Sequence, residues 1–253
     1  MKKGEDMRAA VLLLVPVMAV LAGCQRPVAE KAAVAPAAAI LIEFVEREEN
    51  IDPYRTRVIV TRDFMRFDDG EGSEDFVLFD RRSRLIFSVN AEDRSVMIVE
   101  PQNRPVEPPI PLQVEARNLG PMKGAPAING VVPVHHQVVV NGEVCYDTVS
   151  VAGLMEDVVA ALREFRLVLA SDAMLTANTI PADVRDPCSL AMTTFAPNRE
   201  LAFGFPIQEW GRNGYARTLV DYREDYEPEP GLFAIPSDYR RFTVQEIRAG
   251  GGA

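Results

Sequence analysis

From Leu41 onward the chain is divided into short apolar runs, each closed by a cluster of turn-forming residues. That pattern commits most of it to strands. LIEFVER (41–47) and TRVIVTR (56–62) open the series. FMRFDDGEGSEDFVLFD follows, with strands expected over 64–68 and 76–80 around a polar, glycine-bearing turn. RLIFSVN (84–90) and SVMIVE (95–100) continue the meander. Prolines between Pro101 and Pro111 deny that segment a place inside a sheet, since proline cannot donate to the ladder. LQVEARN (112–118) then alternates, with Leu112, Val114 and Ala116 on one face and Gln113, Glu115 and Arg117 on the other. In VVVNGEVCY, Asn141-Gly142 between apolar runs predicts a tight hairpin. The last strands are expected at GFPIQEW (204–210), YARTLVDY (215–222) and YRRFTVQEI (239–247).

One stretch has a different period. In LMEDVVAALREFRLVLASDAML, Met155, Val158, Val159, Leu162, Phe165 and Leu169 recur at helical spacing. Glu156 and Asp157 occupy its first turn, where the helix dipole favours negative charge. Arg166 falls at one border of the apolar stripe. Such an arginine either carries its head out to solvent or guards the rim of an apolar cavity. These readings together give an α+β chain: an antiparallel sheet of about ten strands with one long amphipathic helix packed on it.

The first residues carry a separate message. Lys2, Lys3 and Arg8 precede an apolar run, Ala9 to Val20, broken by Pro16 and too short to span a bilayer. A basic start, a short apolar core and small residues before a cut site describe a secretory signal. Glu5 and Asp6 are unusual in such a leader, and Met7 is an alternative start. Behind the core, Leu21-Ala22-Gly23-Cys24 resembles the lipobox of bacterial lipoproteins. The resemblance implies a thioether-linked diacylglycerol on Cys24, cleavage before it and acylation of the new amino group. Two chains already anchor stably, so three hold permanently. Gln25 is not the Asp that resembles an inner-membrane retention signal, so the expected location is the outer membrane, facing the periplasm. The expected organisation is a signal over 1–23, a lipidated Ala/Pro-rich tether over 24–39, one β-rich domain over 40–247 and a flexible Gly-rich tail over 248–253.

The leader holds three basic and two acidic residues, so its removal takes the formal charge from −10 to −11. That disfavours nucleic acid, whose phosphates reward clustered lysine and arginine. It also disfavours general adhesion to an anionic membrane, which leaves anchoring to the lipid. Cys145 and Cys188 remain as an even pair in an oxidising compartment. A disulfide closing a loop of about 44 residues would contribute about 4 kcal/mol by the chain-entropy account. Two unrelated buried thiols are the alternative.

GFPI (204–207), YARTLVDY (215–222) and LFAIPSDYRRF (232–242) resemble the closing part of periplasmic lipoprotein-carrier folds. There a Gly-x-Pro strand pairs with the next and the chain ends near a Phe-x-x-Pro-x-x-Tyr turn. FVLFDRRSRLIFSVNAEDRSVMIVE is similar to related exported proteins of that fold. The resemblance spans about half the mature chain in order and spacing. It implies a strongly curved, incomplete β-barrel with helices over an apolar hollow that takes acyl chains or other hydrophobic compounds. One branch, the outer-membrane receptor, is itself a lipoprotein. This chain shows no receptor-type hydrophobic insertion loop, and its cysteine pair is not a carrier signature.

Catalytic motifs are not evident. His135 and His136 are adjacent in an expected strand and so point to opposite faces, where they cannot share a metal. No HExxH, Cys/His cluster, Gly-x-Ser-x-Gly elbow or phosphate-cradling loop occurs. Asp68, Asp69, Glu71, Glu74 and Asp75 miss the spacing of a calcium loop. No metal and no cofactor are expected. The expectation is a non-catalytic, membrane-anchored binder of an apolar ligand or lipoprotein acyl chain. Val158, Leu162, Phe165, Arg166 and Leu169 are the candidates to line its hollow. The alternative is a structural or assembly lipoprotein that binds another envelope protein, its hollow packed shut and an apolar patch or sheet edge exposed.

Overall fold

The computed structural model describes residues 38–250, so Cys24 and nearly all of the expected tether lie outside the described residues. Twelve strands form one mixed sheet that is not closed into a barrel. They are β1 (Ala39–Glu48), β2 (Ile51–Val60), β3 (Phe64–Asp68), β4 (Phe76–Asp80), β5 (Leu85–Asn90) and β6 (Ser95–Val99), then β7 (Val114–Pro121), β8 (Val134–Val140), β9 (Glu143–Val151), β10 (Phe205–Gly211), β11 (Ala216–Tyr226) and β12 (Arg240–Thr243). Their spatial order is β12-β6-β5-β4-β3-β2-β1-β11-β10-β9-β8-β7. The sheet is thus two antiparallel runs, β2 to β6 and β7 to β11, joined through β1.

The turns explain the registers. Asn141 and Gly142 both have positive φ, 52° and 88°, as a type I′ hairpin requires. Asn141 also reaches sideways. Its side-chain oxygen accepts from the Gln113 amide at 2.8 Å, and its Nδ2 donates to the Pro111 carbonyl at 3.0 Å, which seats β7 beside β8. Gly204, at φ 113°, admits no side chain, because a Cβ there would lie 2.4 Å from the Val151 carbonyl oxygen. That close approach starts β10 against β9, pairing Phe205 with Val151.

Helix α1 (Glu156–Ala177) supplies the main layer opposite the sheet. Its Val158, Val159, Ala161, Leu162 and Val168 enter one core with Ile42, Phe44, Val58, Val60, Met65, Phe79, Ile86 and Phe205. Burial of that apolar surface is the dominant force holding the layers together. Among the described residues no helix is long and apolar enough to cross a membrane.

Three details differ from the sequence reading. The sheet is mixed: β12 runs parallel to β6, with Arg240 opposite Ser95. The expected last strand stops at Thr243, whose hydroxyl accepts from the Glu246 amide at 3.1 Å while the Glu246 carboxylate accepts from the Thr243 amide at 2.6 Å. That capping box turns the chain into α3 (Val244–Arg248). Arg248, expected in the tail, forms a two-armed pair with Asp172 of α1 at 2.8 and 2.7 Å. Between α1 and β10 the chain makes a 3₁₀ turn (Ala182–Val184), α2 (Pro187–Leu190), a π-helical turn (Ala191–Phe195) and a second 3₁₀ turn (Glu200–Phe203). None has enough turns to show a helical period in sequence.

Candidate functional site

Strand parity aims several charged side chains inward, beneath α1. Glu209 of β10 is buried, with only 1% of its surface exposed. In register beside it stand Arg217 on β11 and Thr148 on β9. Arg217 Nε donates to Glu209 Oε2 at 2.8 Å, and its guanidinium lies 4.5 Å from the Phe44 ring centroid. From the helical side, Arg166 pairs with Glu200 and has Glu209 Oε1 at 4.0 Å. Tyr215 closes one end by donating to Glu46 at 3.2 Å. Two arginines thus face two buried glutamates.

Charges balance here, but hydrogen bonds do not. Glu200 Oε2, Glu209 Oε1 and Thr148 Oγ1 are buried without a hydrogen-bond partner, each a costly state for a polar atom. Burial pushes the Glu200 carboxyl above its usual range, against the pull of Arg166, and the Glu209 charge adds to the rise. The Tyr146 phenol is driven well up by burial and then by Glu209. Burial also raises Tyr215. For Arg217, burial opposes the charge, yet Glu209 and the neighbouring tyrosines hold its pKa above the ordinary value. Both carboxyls are almost fully buried. The flanking arginines make the place hostile to a cation, and among the described residues no group of three or more metal-ligating side chains occurs.

The two histidines do point to opposite faces. His135 Nε2 lies 2.7 Å from Asp147 Oδ1, which also accepts from Gln137 at 2.9 Å, with the Trp210 ring 5.2 Å away. His136 stacks on Phe203 at 4.0 Å, and burial lowers its pKa.

Cys145 and Cys188 form a disulfide, with Cα atoms 5.3 Å apart. Val158 and Leu162 are packed into the core, and Phe165 lies between the rings of Phe67 and Phe79 at 4.9 and 5.8 Å. All three face the sheet side of α1. Arg166 pairs with Glu200 and donates to the Pro197 carbonyl at 3.2 Å, with 21% of its side chain still exposed. Leu169 faces outward, 40% exposed: it sits on the far side of α1 from the core. Sequence reasoning passed over Glu200, Glu209 and Arg217. For Glu209 a signal existed, a charged residue two places after Ile207 in the run Phe205–Trp210.

Two surface features complete the candidates. Strand β7 is a terminal strand, paired only with β8, and most of its residues are exposed. Leu119 on it, and Val131 and Val132 just before β8, are exposed apolar residues. Along the outer face of α1 runs an open groove of about 470 Å³, bounded by Leu167, Met174, Pro105, Phe195 and Pro197.

No protein-family model and no curated protein matches the chain. Among solved structures, it is similar to an uncharacterised conserved protein from Thermus thermophilus, with a TM-score of 0.42 and 10% identity over 82% of this chain and 91% of that one. PNGF-II matches with a TM-score of 0.40 and 9% identity over 84% of this chain, which spans 32% of PNGF-II. MucB matches with a TM-score of 0.35 and 9% identity, over 81% of this chain and 60% of MucB.

Proposed function

We propose that this chain is a non-catalytic lipoprotein of the cell envelope, anchored in the outer membrane through Cys24 and facing the periplasm, whose domain binds another protein. In this reading the twelve-stranded sheet is a strongly curved, incomplete barrel and α1 is its long amphipathic covering helix. The lipobox supports the anchoring. The observation that supports the binding mode is the free edge of β7, beside exposed Leu119, Val131 and Val132. An extended partner segment can add a strand to such an edge, with main-chain bonds giving affinity and side chains giving selectivity. Glu115 and Arg117 place charge on that strand, which discourages indiscriminate edge pairing.

The test is site-specific photocrosslinking in the intact envelope, with the probe at Arg117 on β7 or at Arg241 on β12. One discrete product from position 117, lost on Leu119→Asp and not formed from 241, is the expected result. Products of the same pattern from both positions, or none from 117, would overturn the reading.

A second reading rests on the groove outside α1. Its apolar lining suits a hydrophobic compound or acyl chain lying along the helix.

A further inference from the structure

Two neighbouring turns at one end of the sheet bring four arginines around a single open cavity of about 500 Å³. Arg62 comes from the β2–β3 turn, and Arg81, Arg82 and Arg84 come from the β4–β5 turn. The turns are stitched together: the Arg81 amide donates to the Asp63 carbonyl at 2.9 Å, and Arg81 Nη1 donates to the Thr61 carbonyl at 3.1 Å. Asp80 is occupied within its own turn, accepting from the Arg82 and Ser83 amides at 2.9 and 3.2 Å.

The four guanidiniums are not equivalent. Arg81 is gripped at two points by Glu164 of α1, at 2.8 and 3.0 Å. Arg82 gives Nε and Nη2 to Asp63, both at 2.7 Å, which fixes its plane and leaves Nη1 uncommitted. Arg62 and Arg84 have no carboxylate partner among the described residues. The lining therefore carries four positive and two negative side chains in a chain whose formal charge is −10. Arg62, Arg84 and Nη1 of Arg82 thus line one cavity without a protein acceptor among the described residues.

Guanidinium forks match the geometry of phosphate oxygens, and such charge-assisted bonds are about twice as strong as neutral ones. A carboxylate would need only one fork, whereas a phosphate offers oxygens to several donors at once. We propose that this corner of the sheet is a binding site for a phosphate group, with Arg62, Arg84 and Nη1 of Arg82 as its donors and Arg81 as the fixed wall behind them. The phosphate belongs either to a free phosphorylated solute or to a lipid headgroup.

The test uses the full chain carrying Cys24→Ala, so that no lipid anchor contributes. Inorganic phosphate is titrated calorimetrically. Cosedimentation is measured with phosphatidylcholine vesicles with and without phosphatidic acid. R62Q/R84Q is expected to weaken binding of the recognised probe about tenfold or more, from the loss of two charged donors. R240Q/R241Q, which removes the same charge at the exposed end of β12, is expected to change it less than about twofold. Circular dichroism checks that both variants fold. Phosphate binding lost only in R62Q/R84Q supports the site and points to a free solute. Phosphatidic-acid-dependent sedimentation lost only in that variant supports the site and points to a headgroup. Equal losses in the two variants, or no binding of either probe, would overturn the proposal.

Discussion

Two buried ionic networks sit in the same sheet and solve the same problem differently. In the first, Asp68 of β3 receives both Arg57 and Arg66, the latter at 2.6 Å. Arg66 spends its remaining donors on the Leu232 and Ser73 carbonyls at 2.8 and 3.2 Å and stacks over Phe76 at 3.7 Å. Asp68 Oδ1 also accepts from the Gly70 amide at 3.1 Å. No oxygen of this carboxylate is left over. In the second, Glu200 and Glu209 face Arg166 and Arg217 with matched charge but with one oxygen of each carboxylate unpartnered. Charge neutrality is therefore not the same as hydrogen-bond closure. The closed network ties the Leu232 segment to β3, and the open one leaves two carboxylate oxygens unpartnered beneath α1.

Breaking the closed network should have the larger effect. Asp68→Ala strands two buried guanidiniums, and removing one partner of a buried ion pair typically costs about 3–5 kcal/mol. Glu209→Ala strands Arg217 but leaves the Arg166–Glu200 pair, so its loss should fall at or below the low end of that range. Urea unfolding of the two variants checks the order. A larger loss for Glu209→Ala would mean that the open network carries the greater share of stability.

A smaller effect sharpens the difference. Glu200 titrates above its ordinary value of 4.5, so the folded state holds a proton that the unfolded state releases. Its contribution is complete below pH 4.5 and is lost as pH rises through the raised folded value. Glu200→Gln, neutral at every pH, should flatten that decline. His136, lowered by burial, bends the curve the other way below its ordinary 6.5 and remains in both proteins. Stability-against-pH curves that superimpose for wild type and Glu200→Gln would show that Glu200 holds no extra proton in the folded state.

Most of the strands were legible because their signals are local. The runs at 64–68 and 76–80 and the Asn141-Gly142 turn lie where alternation and turn chemistry put them. What was lost depended on distant partners or on competition between local signals. The β-rich run Arg240 to Ile247 hid the Thr243/Glu246 capping box. Val158 and Leu162 were legible as inward residues, but filling and lining a space produce the same periodicity. Arg166 could not be placed from its own helix, because its partner Glu200 is 34 residues away in a turn without a period. Leu169 departed because the apolar stripe was drawn wider than the face α1 buries.

The proposed protein-binding function requires that side chains fill the space between α1 and the sheet, leaving the domain to act through its surface. Native mass spectrometry of the full chain carrying Cys24→Ala, produced in the periplasm, tests it most directly. The account predicts the bare protein mass, with no uptake of a labelled fatty acid. A co-purifying mass that delipidation removes and a labelled fatty acid restores, and that persists when Leu167→Asp spoils the outer groove, would contradict it and place an acyl chain inside the fold.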